Sequence, residues 1–360
     1  MFLSASGTFL ATFIPGLLIG YFGENSAHAY LINGVIFAVL FMVCVFISWK
    51  VTWERELTPE MLSGLEKNTR PQTAGEKLAA FGRLFKEYGS TLKIRAFRKH
   101  LAIYLLSFTG KDVYNTVFVF FCVYCLNVSS SLAGTLLSMS IVGLPVTLIA
   151  GIGIIRYGPS KLYVFAYSLM LLCLGGFFAV YQIPALNTVS TLVILAGVYQ
   201  VGRCVLEFTP WNVFPFIPDI DEMVSRQRRE GLFAAVMTFS RKTTVAIATF
   251  IVGLLLQSGG FVKGSQTQPT EAIHTIAMLM FIGTAALLIL ALWQALTFNL
   301  NKRTHKIFVD ELDRLKANGS PQRVSAEARR VVEDLTGYSY DRLWREPTVR
   351  SGEQTVRTPV

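Results

Sequence analysis

Six ionisable residues stand in apolar stretches where hydrocarbon would be the default surrounding. They are Lys111 and Asp112 in "YLLSFTGKDVYNT", Arg203 and Glu207 in "GVYQVGRCVLEFTPW", and Arg241 and Lys242 in "TFSRKTTVAIATFIVGLLL". A charged side chain at the centre of a bilayer costs about 2.5–3.5 kcal/mol on insertion scales. Such residues therefore turn toward a bundle interior or a water-filled cavity, where they pair with one another or meet a polar solute. Ammonium, guanidinium and amide groups in that setting can hydrogen-bond hydroxyls or hold an anion, while paired charges tie helices together.

Helical spacing sorts these residues into faces. Gln200, Arg203, Glu207 and Trp211 follow i, i+3, i+7, i+11, and Arg203 with Glu207 makes an i, i+4 pair that partly neutralises itself. That pair is read equally as a structural link between helices or as part of a polar path. Tyr104, Ser107, Lys111 and Asn115 share a second face, with Asp112 beside it. Thr238, Lys242 and Thr249 share a third. Two readings stand for Arg241 and Lys242. Either they face a cavity about ten residues inside a span, too deep to snorkel at about 1.5 Å per residue, or the span begins later and both sit at the inner surface. The apolar segment "GLFAAVMTF" ahead of them favours the cavity.

These faces require membrane-length helices, and the composition supplies them. The chain has 360 residues, of which 52% are hydrophobic and 16% charged, and its mean hydropathy is +0.47. A spanning helix needs about 20 mostly apolar residues. Eight such segments are legible, near 3–22, 30–49, 101–126, 131–155, 163–181, 188–213, 232–256 and 277–299. The expected fold is an all-α polytopic membrane protein, because irregular backbone cannot face lipid and barrel strands would be shorter and alternating. Residues 1–22 lack the basic leading region of a cleavable signal. Pro15 with Gly16, and Pro145 after Gly143, are plausible kink positions, or else ordinary irregularities.

Several activities find no support. No Walker loop and no HExxH motif is present, and His28, His100, His274 and His305 fall near span ends or in loops. Cys44, Cys122, Cys125, Cys173 and Cys204 all lie in expected spans, where cysteine acts as a small apolar residue. The serines lack a base partner, so no enzyme is read here and no metal or covalently bound cofactor is expected. The net charge of +10 is not a nucleic-acid footprint, because its placement follows the membrane. Segments 22–29, 127–130, 182–187 and 257–276 contain one basic residue, Lys263. The intervening segments are basic: Lys50 to Lys99, Arg156 with Lys161, Arg226 with Arg228 and Arg229, and the tail from Lys302. Lys and Arg collect on cytoplasmic loops, so both termini are expected inside the cell, in a cytoplasmic (inner) membrane. Within residues 50–100, "EKLAAFGRLFKEYG" reads as an amphipathic helix on the membrane surface or packed on neighbouring loops. The tail shows helical patterns near 304–317 and 325–336, followed by a polar stretch from 345 expected to be disordered.

Residues 209–244, "TPWNVFPFIPDIDEMVSRQRREGLFAAVMTFSRKTT", join a span, a proline, an acidic cluster, a basic cluster and another span. This stretch resembles the glycoside-pentoside-hexuronide:cation symporter family, the melibiose-permease-like branch of the major facilitator superfamily. Asp219, Asp221 and Glu222 match the family's acidic part, Arg228, Arg229, Glu230 and Gly231 its basic turn, and Lys242 its membrane lysine. "GIGIIRYGPSKLYVF" is similar to the loop expected between spans eight and nine, through Arg156, Gly158 and Lys161. The resemblance covers most of residues 1–300 and implies a major-facilitator-like helix bundle of twelve spans. Here two spans (1–49) precede the central loop (50–100) and six (101–300) follow it, before the tail (301–360). The resemblance thus implies a truncated bundle of about eight spans, with the first four missing.

What the resemblance implies for function is symport of a sugar, glycoside or hexuronide with Na+ or H+ by alternating access. The alternatives are a non-transporting remnant of such a carrier or a membrane-embedded transferase. Lys242, Trp211, Lys111, Asn115, Gln200 and Arg241 are the candidate substrate contacts, and Arg203, Glu207 and Asp112 the intramembrane ion pairs. Asp219, Asp221 and Glu222 with Arg228, Arg229, Arg156 and Lys161 would form the charge pairs of a cytoplasmic gate, unless the basic loops serve topology alone. The coupling-ion carboxylates of the family lie on the missing spans, so no residue here inherits that role. Four intramembrane cations against two carboxylates call for counter-charges, from those spans or from an anionic sugar. The expected partners are the bilayer and a small sugar, with the protein monomeric.

Overall fold

The computed structural model describes residues 27–52, 85–139, 143–317 and 319–344, with Gly7 and Gly82. The expected span at 3–22, the kink at Pro15, most of the amphipathic helix of the central loop and the polar end from 345 lie outside the described residues. Helix is the regular element throughout those residues. The chain divides into two compact units, Met1–Phe85 and Lys86–Val360. In the first, α1 spans Ala27–Val51.

The second unit begins its membrane part with α2, Arg95–Phe120, which a π-helical turn at Phe121–Cys125 prolongs. There follow α3 (Ser130–Leu137), α4 (Gly143–Tyr157), α5 (Pro159–Gln182), α6 (Val189–Val213), α7 (Ile217–Ser225) and α8 (Glu230–Ser258). Next come α9 (Thr270–Met278), a second π turn at Leu279–Gly283, and α10 (Thr284–Leu296). Two short helices close the unit, α11 (Lys302–Lys316) and α12 (Ala326–Thr336). Among the described residues, five helical runs are long and apolar enough to cross a membrane: Leu31–Val51, Pro159–Gln182, Val189–Ser225, Glu230–Ser258 and Thr270–Leu296. Helix α2 covers the expected span at 101–126 but is more polar. The expected span at 131–155 is divided between α3 and α4, and residues 140–142 lie outside the described set. Pro145 lies within α4, and the residues before Gly143 that bear on the expected kink are outside the described set.

Outward faces carry aliphatic and aromatic side chains, including Ile152, Leu172 and Phe250, about two-thirds or more exposed at 67%, 72% and 66%. Such a belt is stable only against hydrocarbon or another apolar surface. Inside, α2 packs on α8, α10 and α6, and α5 packs on α6. The α5–α6 approach depends on Gly202, where a Cβ would lie 2.7 Å from Met170 Cγ and 3.0 Å from the Ala166 carbonyl. Rings fill the interior: Tyr114 stacks on Tyr199 at 3.9 Å, and Phe97 meets Phe233 edge-on at 4.7 Å. The five cysteines are free.

The described part of the tail docks on the bundle. Helices α11 and α12 pack on each other, on α7 and on the beginning of α2. Asn301 caps α11 in a reciprocal capping box with Thr304, and Ser325 caps α12. Buried Phe308, Leu312, Val332 and Leu335 join the main core, because both helices are amphipathic and have an apolar stripe to cover.

Candidate functional site

Helices α2, α6 and α8 bring their charged residues to one place. The Lys111 ammonium lies 2.9 Å from Glu207 Oε1 and 4.0 Å from Asp112 Oδ1. Arg203 donates from Nε to the same Glu207 oxygen at 3.2 Å, and from a terminal nitrogen to the Gln200 amide oxygen at 3.3 Å. Arg241, on α8, clasps Asp112 with its two terminal nitrogens at 2.6 and 3.0 Å. Each side chain of the Arg241–Asp112 pair is below one-fifth exposed, so the pair is only thinly hydrated. The Phe108 ring lies close to two cations of neighbouring helices, 4.7 Å from Lys111 Nζ and 5.1 Å from the Arg241 guanidinium. Trp211 meets Tyr104 edge-on at 6.0 Å at the border of the cluster. Three cations against two carboxylates leave it one positive charge, and Glu207, the most open member at 38% side-chain exposure, forms its accessible side.

Within α8, the buried residues Phe233, Met237, Ala248 and Val252 set the inward face, and Arg241 continues it. Lys242 lies one residue, about 100° of helix, further round. It is exposed, as are Thr238 and Thr249, and it has no ion pair among the described residues. The Thr238–Lys242–Thr249 face therefore exists as a face but points away from the cluster. Asn115 is partly buried and its amide oxygen has no partner among the described residues.

A second set of charges sits at the α7–α8 turn. Asp221, fully buried, takes two hydrogen bonds from Arg229, at 2.6 and 2.8 Å, and one from Ser225 at 3.1 Å. Arg229 also reaches Ser90 at 3.1 Å. The Asp221 hydrogen bonds are the largest influence on Arg229 and hold its pKa above the ordinary guanidinium value against the effect of burial. Asp219 pairs with Arg228 at 3.3 Å and with His305 Nε2 at 2.8 Å, while Glu222 pairs with Lys316 at 2.7 Å. Arg226 takes the left-handed conformation at φ 56° to end α7, and its guanidinium lies 5.0 Å from the Trp344 ring. The expected pairing of the acidic cluster with Arg156 and Lys161 is not formed. Both are exposed, and Arg156 lies over its neighbour Tyr157 at 5.7 Å. Their expected places are taken by His305 and Lys316, because the α11 cap and apolar stripe hold that helix against α7.

The sequence profile of the MFS/sugar transport protein family matches residues 1–302 of this chain. The chain belongs to that family. An uncharacterized symporter of Synechocystis sp. is 26% identical over 241 residues, covering 66% of this chain and 43% of the relative. The isoprimeverose transporter of Lactiplantibacillus pentosus is 24% identical over 287 residues, covering 76% of this chain and 53% of the relative. The chain thus spans about half the length of the curated relatives it matches. Membership of a membrane transport family agrees with the major-facilitator-like helical bundle and with its apolar helices. The family and these relatives are transporters and not enzymes.

Three participants escaped the sequence. Phe108 looks like any core aromatic until Lys111 and Arg241 are both seen close to its ring. His305 and Lys316 lie in a tail with no membrane signal, and only the amphipathic period of α11 hinted that the segment would dock. The choice between Arg241 and Lys242 was available in principle, since Arg241 continues the row Phe233, Met237, Ala248, Val252.

Proposed function

We propose that this protein carries a sugar, glycoside or hexuronide across the cytoplasmic membrane together with Na+ or H+, by alternating access, with both termini on the cytoplasmic side. The observation that carries the proposal is the five-residue charge cluster assembled from three helices inside the bundle of a sugar-transport family member. Lys111, Arg203 and Arg241 are held by carboxylates strongly enough to be kept inside a membrane, and one uncompensated positive charge remains for the hydroxyls or carboxylate of a solute. Trp211 and Tyr104 at its border supply an apolar face of the kind on which a pyranose ring rests. Gln200 and Asn115 are the further polar groups beside the cluster, and Lys242 would reach the solute from the other, exposed face of α8. The pairs of Asp219, Asp221 and Glu222 with Arg228, Arg229, His305 and Lys316 hold the cytoplasmic end closed, and their separation accompanies inward opening.

Counterflow in proteoliposomes tests the reading. Vesicles preloaded with unlabelled isoprimeverose, xylose or glucuronate should accumulate the corresponding labelled sugar transiently above its equilibrium level. Absence of an overshoot with all three would count against transport of these sugars. Failure across a wider panel of neutral and acidic glycosides would sink the carrier reading in favour of a non-transporting protein.

A further inference from the structure

At the beginning of α2, the docked tail leaves a cavity of about 480 Å³ that is open to solvent. Its walls carry Arg95 from the first turn of α2, Arg330, Glu333 and Asp334 from α12, and Tyr338 with Ser339 from the turn that follows. Arg330, Glu333 and Asp334 stand at i, i+3, i+4, on the face of α12 opposite the buried Ala328, Val332 and Leu335. The turn comes close to α2 because Gly337 ends α12 at φ 80°, where a Cβ would lie 3.0 Å from Arg95 Cβ. The carboxylates of this wall are already engaged. Asp334 accepts from the Asn299 amide at 2.8 Å and from Arg95 at 3.4 Å, and Glu333 accepts from the Tyr340 N–H at 2.8 Å and from Arg329 at 3.5 Å. The donors have capacity to spare. Arg330 and the Ser339 hydroxyl, both exposed, have no partner among the described residues. Arg95, 45% exposed, holds Asp334 at a distance well beyond the roughly 2.7–2.9 Å of a close charge-assisted hydrogen bond.

We propose that this cavity binds a phosphorylated sugar, with Arg330 and Arg95 on the phosphate, and that occupancy draws Arg95 from Asp334 and so loosens one tie between the tail and α2. Guanidinium forks match phosphate oxygens two at a time, and Arg330 has its whole fork to offer. A bare phosphate is the poorer guest, because Glu333, Asp334 and the carbonyl end of the α12 dipole repel an anion that brings no donors. Sugar hydroxyls bring them. They donate to the outer oxygens of the two carboxylates and accept from Ser339, while the half-buried Tyr338 offers a ring beside them. Size points the same way: sites for small ligands measure about 300–1,000 Å³, and a phosphate alone would leave most of this cavity to water. The neighbouring cations are occupied elsewhere. Lys99 donates to the Thr297 carbonyl at 2.6 Å, Arg98 to the Leu92 carbonyl at 3.2 Å, and Arg329 pairs with Glu333 and Asp341. The inference borrows from the carrier reading only its orientation, which puts the tail in the cytoplasm, where charged sugar esters are made and retained. Because α2 also carries Lys111 and Asp112, the site would connect the supply of phosphorylated sugar to the helix of the charge cluster.

Isothermal titration calorimetry of the full chain in zwitterionic nanodiscs, with glucose 6-phosphate as the probe, tests the site. No transport is involved, so the outcome is separate from the success or failure of the carrier reading. Glucose 6-phosphate should bind saturably, and Arg330→Gln, a change at an exposed position, should weaken it by about tenfold or more. Inorganic phosphate and glucose should each bind at least about tenfold more weakly than the ester. Asp334→Asn keeps an acceptor but removes the competing charge, so it should tighten glucose 6-phosphate by about threefold or more, whereas a merely structural Asp334 would give weaker binding. Failure of glucose 6-phosphate, ribose 5-phosphate and xylulose 5-phosphate all to bind saturably would overturn the proposal. So would undiminished binding in Arg330→Gln, or inorganic phosphate binding as tightly as the ester. Displacement of glucose 6-phosphate by short-chain phosphatidate would assign the cavity to a lipid headgroup and overturn it too. Unchanged or weaker binding in Asp334→Asn would refute the competition for Arg95.

Discussion

Replacing Arg241 with Met removes the guanidinium from Asp112 while nearly preserving side-chain volume. The carboxylate then keeps only Lys111, 4.0 Å away and already engaged with Glu207 at 2.9 Å. Breaking a buried pair by deleting one partner costs about 3–5 kcal/mol. Here both side chains keep some hydration, at 16% and 19% exposure, and a second cation stands near, so the expected loss is about 2–3 kcal/mol. Removing the carboxylate as well, in Arg241→Met with Asp112→Leu, takes away the stranded charge and should restore stability to within about 1 kcal/mol of the starting protein. Equilibrium unfolding in mixed detergent micelles, followed by helical circular dichroism, would give the coupling energy of the double-mutant cycle. A double variant as unstable as the sum of the two singles would show that the two groups do not interact, and the cluster would lose its most enclosed ion pair.

Lys242→Ala should change unfolding stability by less than about 0.5 kcal/mol, since the side chain is exposed and without an ion pair among the described residues, yet it should reduce counterflow. Equal loss of both would assign the residue a folding role. Gly202→Val should destabilise by about 1–3 kcal/mol through the clash with Met170 and the Ala166 carbonyl, whereas Gly231→Ala, with open space around it, should be tolerated; paired melting curves compare them. The docked tail should also answer to acid. Burial alone would raise the Glu311 carboxyl, but hydrogen bonds from Arg314 and Tyr340 and the guanidinium charge outweigh it and hold the folded-state pKa below the ordinary value. Its contribution is therefore complete above the unfolded carboxylate value of about 4.3 and is lost as pH falls through the lower folded value. Fluorescence of Trp344, which lies against Arg226, should report the loosening, and Glu311→Gln should abolish the dependence in that window.

The cytoplasmic pairs show where reading a sequence for charge stops being sufficient. Positive residues near the inner ends of spans are legible because topology requires them there, but this requirement says nothing about which acid each one meets. Arg228 and Arg229 reached Asp219 and Asp221 because a tight turn folds the start of α8 back on α7. Arg156 and Lys161, on another loop, stayed in solvent. The tail helix α11 supplied His305 and Lys316 because its apolar stripe had to be buried somewhere, and the site of that burial was a property of the assembled core.

Composition and hydropathy alone determined the membrane class, and the turn at residues 209–244 determined the family, since both depend on residue types and short spacings within a single segment. The partners in the charge cluster were decided only in three dimensions. Periodicity places Lys111, Arg203 and Arg241 on faces of their own helices, but the rotation of α8 against α2 selects Arg241 over Lys242 for Asp112. That rotation is fixed by the packing of Phe233, Met237 and Val252, and by the close approaches that Gly110 and Gly202 permit elsewhere in the bundle. A cation's partner is a relation between helices, and it becomes definite only when the apolar faces have chosen how to meet.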